Sequence, residues 1–272
     1  MSGKMRSKPA EPSSAATAEI RKLAHALGLP TQRLAPLSTL PPEDLRVLRT
    51  QIAEALFQAD RHHFARVAAL SKAVPVAMAA KLTEHVFPPL LAARTAELID
   101  PHRAVELVAR LSDGYLADVS AAMHPERAPH VLAGIPAERI AKVGAELARR
   151  GEWVVIAGFL AHVSPEALNA TVDLLTGEQL LRVGFVLDDK ARLDEVSAML
   201  SDWQLDQMIS SAHDQALWTE LDDLLTHLTD ERVARLSQRF AVAEPQVRAA
   251  ADKAVGEGVL SARTVRLLTS AA

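Results

Sequence analysis

One pattern of apolar residues returns along most of this chain, and it limits the fold more than any other feature. Asp100-Pro101 is followed by Ala104, Leu107, Val108 and Leu111, then by Ser112 and a second stripe of Leu116, Val119 and Met123. The pattern restarts at His124-Pro125 with Ala128, Val131, Leu132 and Ile135, then Pro136, Ile140, Val143 and Leu147. A third copy runs from Ser164-Pro165 through Leu168, Val172 and Leu175 to Thr176, Leu180, Val183 and Leu187, with Thr171 departing from the apolar rule. A fourth keeps Leu193, Val196 and Leu200, then Ser201, Leu205 and Met208. The fifth has Leu221, Leu224, Leu225 and Leu228, then Thr229, Val233, Leu236 and Phe240. Intervals of three and four put each stripe on one side of a helix, and each junction divides a pair of helices.

The polar residues agree with that division. Asp100, His124 and Ser164 stand at N-cap positions, with proline at the first helical residue, where a missing N–H costs nothing. Ser112, Thr176, Ser201 and Thr229 stand where the second helices begin, and Gln179 and Gln204 lie three residues on, as a capping box requires. Helices of two or three turns are unstable alone, so neighbouring pairs must share apolar surface. The expected fold is all-α, a right-handed array of short helical hairpins, or α-solenoid. Val67, Leu70 and Val74, then Pro75, Ala79, Leu82 and Val86 read as a degenerate earlier copy. The long interval between Ile135 and Leu175 reads as an inserted apolar helix carrying Trp153, Val154, Val155, Ile156, Phe159 and Leu160.

Upstream, Ile20, Leu23, Ala24 and Leu27 form one helix face, closed by Gly28 and Pro30. A second helix opens at Pro41-Pro42 and carries Leu45, Leu48, Ile52 and Leu56, with Glu43 and Asp44 at its positive start. Residues 1–17 read as a disordered tail, 18–95 as an N-terminal helical region, and 96–272 as the hairpin region packed into the same domain. Aromatic residues are 4% of the chain and no β-branched alternation occurs, so no sheet is expected.

Composition removes several functions. A formal charge of −4 disfavours general nucleic-acid binding, which needs a basic face. The apolar run from Trp153 to Ala161 is too short for a membrane span. With no cysteine there is no disulfide or thiolate site, which fits a reducing cytoplasm. Ten histidines include no pair three or four apart, and the adjacent His62 and His63 project in different directions from a helix, so no metal or other cofactor is expected. No phosphate loop, nucleophile elbow or catalytic residue is legible, and the chain reads as non-enzymatic. Asp202 and Asp206 stand where a DNA-reading helix would want basic residues.

The cap-Pro start, the Ala-x-x-Leu/Val-Leu/Val stripe and the Leu-Ser/Thr/Pro junction, from Asp100 to Phe240, resemble the cytoplasmic N-terminal domain of MgtE-type magnesium transporters. They are also similar to the helical repeats of the flagellar motor switch G protein. The transporter resemblance implies a helical regulatory domain that senses magnesium through acidic residues. No acidic motif here matches that family residue by residue, and the likeness reaches neither the regulatory nucleotide-type domains nor the membrane pore, so transport is not implied. Asp188-Asp189 and Asp222-Asp223 are the acidic pairs available to a weak Mg²⁺ site.

The expected function is a cytoplasmic regulatory or scaffold module that presents a groove to a protein partner, with homo-oligomerisation open. Arg149, Arg150, Trp153, Phe159 and His162, gathered beside the inserted helix, are the candidate binding residues, because Trp and Arg recur at binding hot spots. The alternative is a small apolar ligand held near that helix. Trp203, Trp218 and Phe240, on repeat helices, are expected in the core.

Overall fold

The computed structural model describes residues 13–261, 263 and 264, and among them every regular element is helical. The chain divides into two compact units, Met1–Ala59 and Asp60–Ala272. The division falls inside a helix, upstream of the boundary expected at residue 95.

The first unit opens with α1 (Ser14–Leu27), capped by the Ser13 hydroxyl and closed by Gly28 in the left-handed region at φ 62°. That helix begins within the stretch that reads as a tail; residues 1–12 of the stretch lie outside the described residues. A 3₁₀ segment, Thr31–Thr39, follows, and no apolar period announces it. Next comes α2 (Pro42–Ser71), with Glu43 and Asp44 in its first turn as expected. Ala16, Ile20 and Leu45 form the core of this unit with Leu34 and Leu37 against them. The buried Glu19 carboxylate is held by Lys22 at 2.9 Å and Arg49 at 3.2 Å.

The second unit continues from the end of α2 through α3 (Val76–Val86), α4 (Pro89–Ala96), α5 (Pro101–Val108), α6 (Asp113–Ala121), α7 (Pro129–Leu132), α8 (Ala137–Arg149) and α9 (Trp153–Leu160). It proceeds through α10 (Pro165–Val172), α11 (Gly177–Val186), α12 (Arg192–Met199), α13 (Asp202–Asp214), α14 (Trp218–His227), α15 (Asp230–Ala241) and α16 (Pro245–Gly256). Packing favours the helix two places on: α3 meets α5, α4 meets α6, α6 meets α8, α8 meets α10, and the sequence resumes with α11 on α13 and α13 on α15. The inserted α9 keeps the habit by packing on α11.

Most caps are as the spacing predicts. Asp100, Ser112 and Ser164 each accept the backbone N–H three residues on, and Thr176 with Gln179 and Ser201 with Gln204 form complete capping boxes. Thr176→Ala is expected to cost about 1 kcal/mol, seen as a lower urea midpoint with an unchanged m-value.

Two caps differ. Thr229 makes no side-chain cap; its hydroxyl and N–H donate to Asp194 Oδ1 at 2.8 and 2.9 Å. His124 also makes none: its N–H donates to Glu97 Oε1 at 3.0 Å, and Arg94 donates to its Nε2 at 3.2 Å. The helix expected after it is broken into a 3₁₀ turn, Pro125–Arg127, and the single turn of α7. Pro129 is the cause, because it supplies no N–H and disfavours helical geometry at Ala128, which sits at φ −130°.

Burial raises the Glu97 carboxyl above its ordinary value of 4.5, against the lowering pull of the His124 N–H and Arg94. A raised folded-state value means the folded protein holds the proton more tightly. Glu97 therefore adds stability below pH 4.5 that is lost as pH climbs from there through the folded value. Urea midpoints measured for Glu97→Gln from about pH 4 upward are expected to lack that decline.

A basic side chain joins each of several hairpins to an earlier one. Arg103 donates to the Ser71 and Val74 carbonyls beyond α2, and Arg139 donates to the Leu111 carbonyl beyond α5. Arg192 reaches Leu160 O at 2.8 Å, and Arg263 reaches Leu228 O at 3.2 Å. The carbonyls that close a helix lack intrahelical partners and carry its negative end, so a guanidinium satisfies both needs.

Candidate binding surface

In the second unit, the apolar stripes of the third to fifth copies close on one another and leave a void of about 30 Å³ between residues such as Leu175, Leu187, Leu200 and Met208. The stripes of the first two copies do not. Leu107, Leu111, Leu116, Ile135, Ile140 and Val143 line a partly open hollow of about 380 Å³. Two features account for the difference. The first helix of the second copy, α7, has 4 residues where α10 and α12 have 8, so its stripe lies on a stub. Elsewhere the wall includes Ala79, Ala92, Ala96 and Ala104, whose small side chains leave the space unfilled.

One side of the hollow belongs to α3, through Ala79, Leu82 and Thr83. The outer face of the same helix presents Met78, Leu82 and Val86, 58%, 44% and 64% exposed, at the i, i+4, i+8 spacing of a packing stripe. Leu70, 72% exposed, and Leu90, 53% exposed, lie on the neighbouring elements, and Lys72, Lys81 and His85 are exposed alongside. Leu70, Leu82 and Val86 belong to the degenerate copy, where the sequence pattern predicts a buried seam.

The five candidate residues beside the inserted helix separate in space. Phe159 lines the hollow with Ile156 and Leu160 of α9; Arg149, Arg150, Trp153 and His162 do not line it. Arg150 bridges hairpins through Asp118 and the Gly114 carbonyl, 2.5 and 3.2 Å away. Together with Arg149 it holds the Glu146 carboxyl down to about 2. Trp153 lies against Gly151, whose φ of 77° makes the turn, and receives the Arg182 guanidinium 6.0 Å from its ring centroid. Among the expected core aromatics, Trp218 and Phe240 are buried, whereas Trp203 is 64% exposed. It stands in the first turn of α13, whose buried face is carried by Gln204, Leu205 and Met208 instead.

The acidic pairs are held by structural partners. Asp223 accepts from Lys190 at 2.6 Å, and Asp222 accepts from Ser261 N at 2.9 Å and from the Thr264 hydroxyl. Asp189 accepts from the Ala191 N–H at 3.2 Å. His62 and His63 bring their ring centroids to 3.7 Å, closer than adjacent helix positions suggest. No group of three or more His, Cys, Asp or Glu suited to a metal gathers among the described residues. No helix among them is long and apolar enough to cross a membrane.

The stretch that holds the α3 stripe and most of the hollow is also the stretch that is similar to a known family. Residues 62–151 match the MgtE intracellular N domain. The match covers about a third of the chain. It starts at the degenerate copy, earlier than the repeat pattern predicts, and ends before α9. The MgtE N domain likeness thus takes in α3 to α8 and leaves the well-packed later copies outside it. No curated protein and no solved structure matches the chain.

Proposed function

We propose that the chain is a non-enzymatic, cytoplasmic regulatory module that binds a protein partner through the outer face of α3. The observation that carries this reading is the stripe of Met78, Leu82 and Val86, left exposed inside the segment that resembles the MgtE intracellular N domain. Exposed apolar residues at helical spacing are the counterpart of a partner's apolar stripe. Lys72, Lys81 and His85 beside it favour a helix with acidic residues on its flanks. The proposed occupant is therefore an amphipathic, acidic-flanked helix of another protein.

In this reading the hairpins of the second unit form a right-handed superhelical array, supported by the recurrent packing of helices on those two places on, from α3 on α5 to α13 on α15. Phe159 is kept as a binding residue because it lines the hollow behind α3. A magnesium role has less support, because Asp222 and Asp223 are engaged by Ser261, Thr264 and Lys190.

A photocrosslinking residue at position 86, compared with one at the exposed Leu174, tests the proposal in native lysate. The expected product is an acidic-flanked helical peptide joined at 86 and weakened at least tenfold by Met78→Glu. Equal yields from the two positions, or crosslinks joining only copies of this chain, would overturn it.

A further inference from the structure

The hollow poses a question separate from the α3 stripe, because the same chain shows that its repeat pattern is able to close. Copies three to five reduce the space to about 30 Å³, whereas the first two leave about 380 Å³, within the size range of small-molecule pockets. Apolar space of this kind is poorly suited to water, which needs several polar partners.

Its wall specifies the chemistry of an occupant. Val108, Ile135, Val143 and Phe159 contribute apolar surface. The charged side chain on the wall is Arg139; its terminal nitrogens reach Asp113 at 2.7 Å and the Leu111 carbonyl, while its Nε is buried without a hydrogen-bond partner. An anionic headgroup would therefore meet a cation whose charge is already balanced by Asp113. Thr95, 7% exposed, also lines the hollow, and its hydroxyl is buried without a hydrogen-bond partner. A buried hydroxyl left in that state is costly, and threonine in a helix has two accessible χ1 settings.

We propose that the hollow is a chamber for one neutral, mainly apolar small molecule with a single hydrogen-bonding atom, of the fatty-alcohol class, and that Thr95 meets that atom. Leu82 belongs to both the outer stripe and the chamber wall, but Met78 and Val86 do not line the chamber, so substitutions at those two positions separate partner capture from ligand binding.

The test uses decan-1-ol and decanoate as probes of the full chain, with binding followed by native mass spectrometry and calorimetry. One decan-1-ol per chain is expected, bound at least tenfold more tightly than decanoate at neutral pH. Thr95→Val is expected to weaken the alcohol about threefold to tenfold, the value of one neutral hydrogen bond. Val143→Phe, which intrudes into the hollow, is expected to weaken binding at least tenfold with the helical signal and melting transition retained. Val108→Phe is the second filling variant should the first fail to fold. Failure of decan-1-ol to bind, tighter binding of decanoate, or unchanged binding in a folded filling variant would overturn the proposal.

Discussion

Gly177→Ala is expected to destabilise the second unit by about 1–3 kcal/mol or more, the cost of forcing atoms into a filled contact. Gly177 opens α11 at the point where the backbone of Gln207 and Met208 in α13 passes directly over it. A methyl group there meets backbone atoms, which have no rotamer to yield. The two helices must separate, and the Leu205 and Met208 side chains buried between the later hairpins lose contact with them. Gly256 supplies the control: it ends α16 with open space, nothing within 4 Å, where an alanine methyl would stand, so Gly256→Ala is expected to be neutral or mildly stabilising. Denaturant midpoints of the two variants should move in opposite directions or differ by most of the Gly177 effect. Similar, small shifts would mean that α11 and α13 do not approach this closely in solution.

Lys190→Met is expected to cost on the order of 3 kcal/mol, the low end for breaking a buried ion pair, because Lys190 keeps part of its side chain in water. Its ammonium donates to Asp223 Oδ2 at 2.6 Å, Phe185 O at 2.8 Å and Gly184 O at 3.0 Å. Three donors thus meet a carboxylate on α14 and the closing carbonyls of α11. Methionine keeps the stem but leaves the buried Asp223 charge without this cation. Adding Asp223→Leu should restore part of the loss, since it removes the charge that has lost this cation, while the Phe185 carbonyl still lacks the Lys190 donor and Gly184 O keeps the Leu187 N–H. Urea unfolding of the single and double variants measures both effects, and a double variant no more stable than Lys190→Met would rule out the stranded charge as the main cost.

The parts of the fold governed by neighbouring residues are legible in the sequence. Thr176 with Gln179 and Ser201 with Gln204 announce helix starts because both halves of the box lie within four residues. Gly28 announces a helix end for the same local reason. The arginine clasps are not legible, because Arg103 and Arg139 in a first turn look like solvated charge, and the carbonyls they reach lie about a hairpin away in sequence. Pro129 is the local signal that breaks the second copy, and the apolar match around it obscures its effect.

The binding surface is less legible still. Periodicity assigns Leu82 and Val86 to an apolar face with Ala79 and does not single out Met78, nor does it say whether the chain itself covers that face. The hollow escapes for a similar reason: Leu107, Ile135 and Val143 fit the stripe template as well as Leu168 and Leu180 do. Whether facing stripes fill the space between them depends on helix length and on side-chain volume across the gap. Composition near the inserted helix points to Phe159, but it points equally to Arg149 and Trp153, which the fold turns elsewhere.

The guanidinium clasps also bear on how the protein could be shortened. Each one grips main-chain oxygen, so the grip does not depend on which side chains end the preceding helix. A chain excised so that it resumes at a helix carrying such an arginine, as α5, α8 and α12 do, would retain a cation over its splice, whereas one resuming at a helix without it would leave the preceding helix terminus bare. The natural unit of trimming is thus set by electrostatics at the joints.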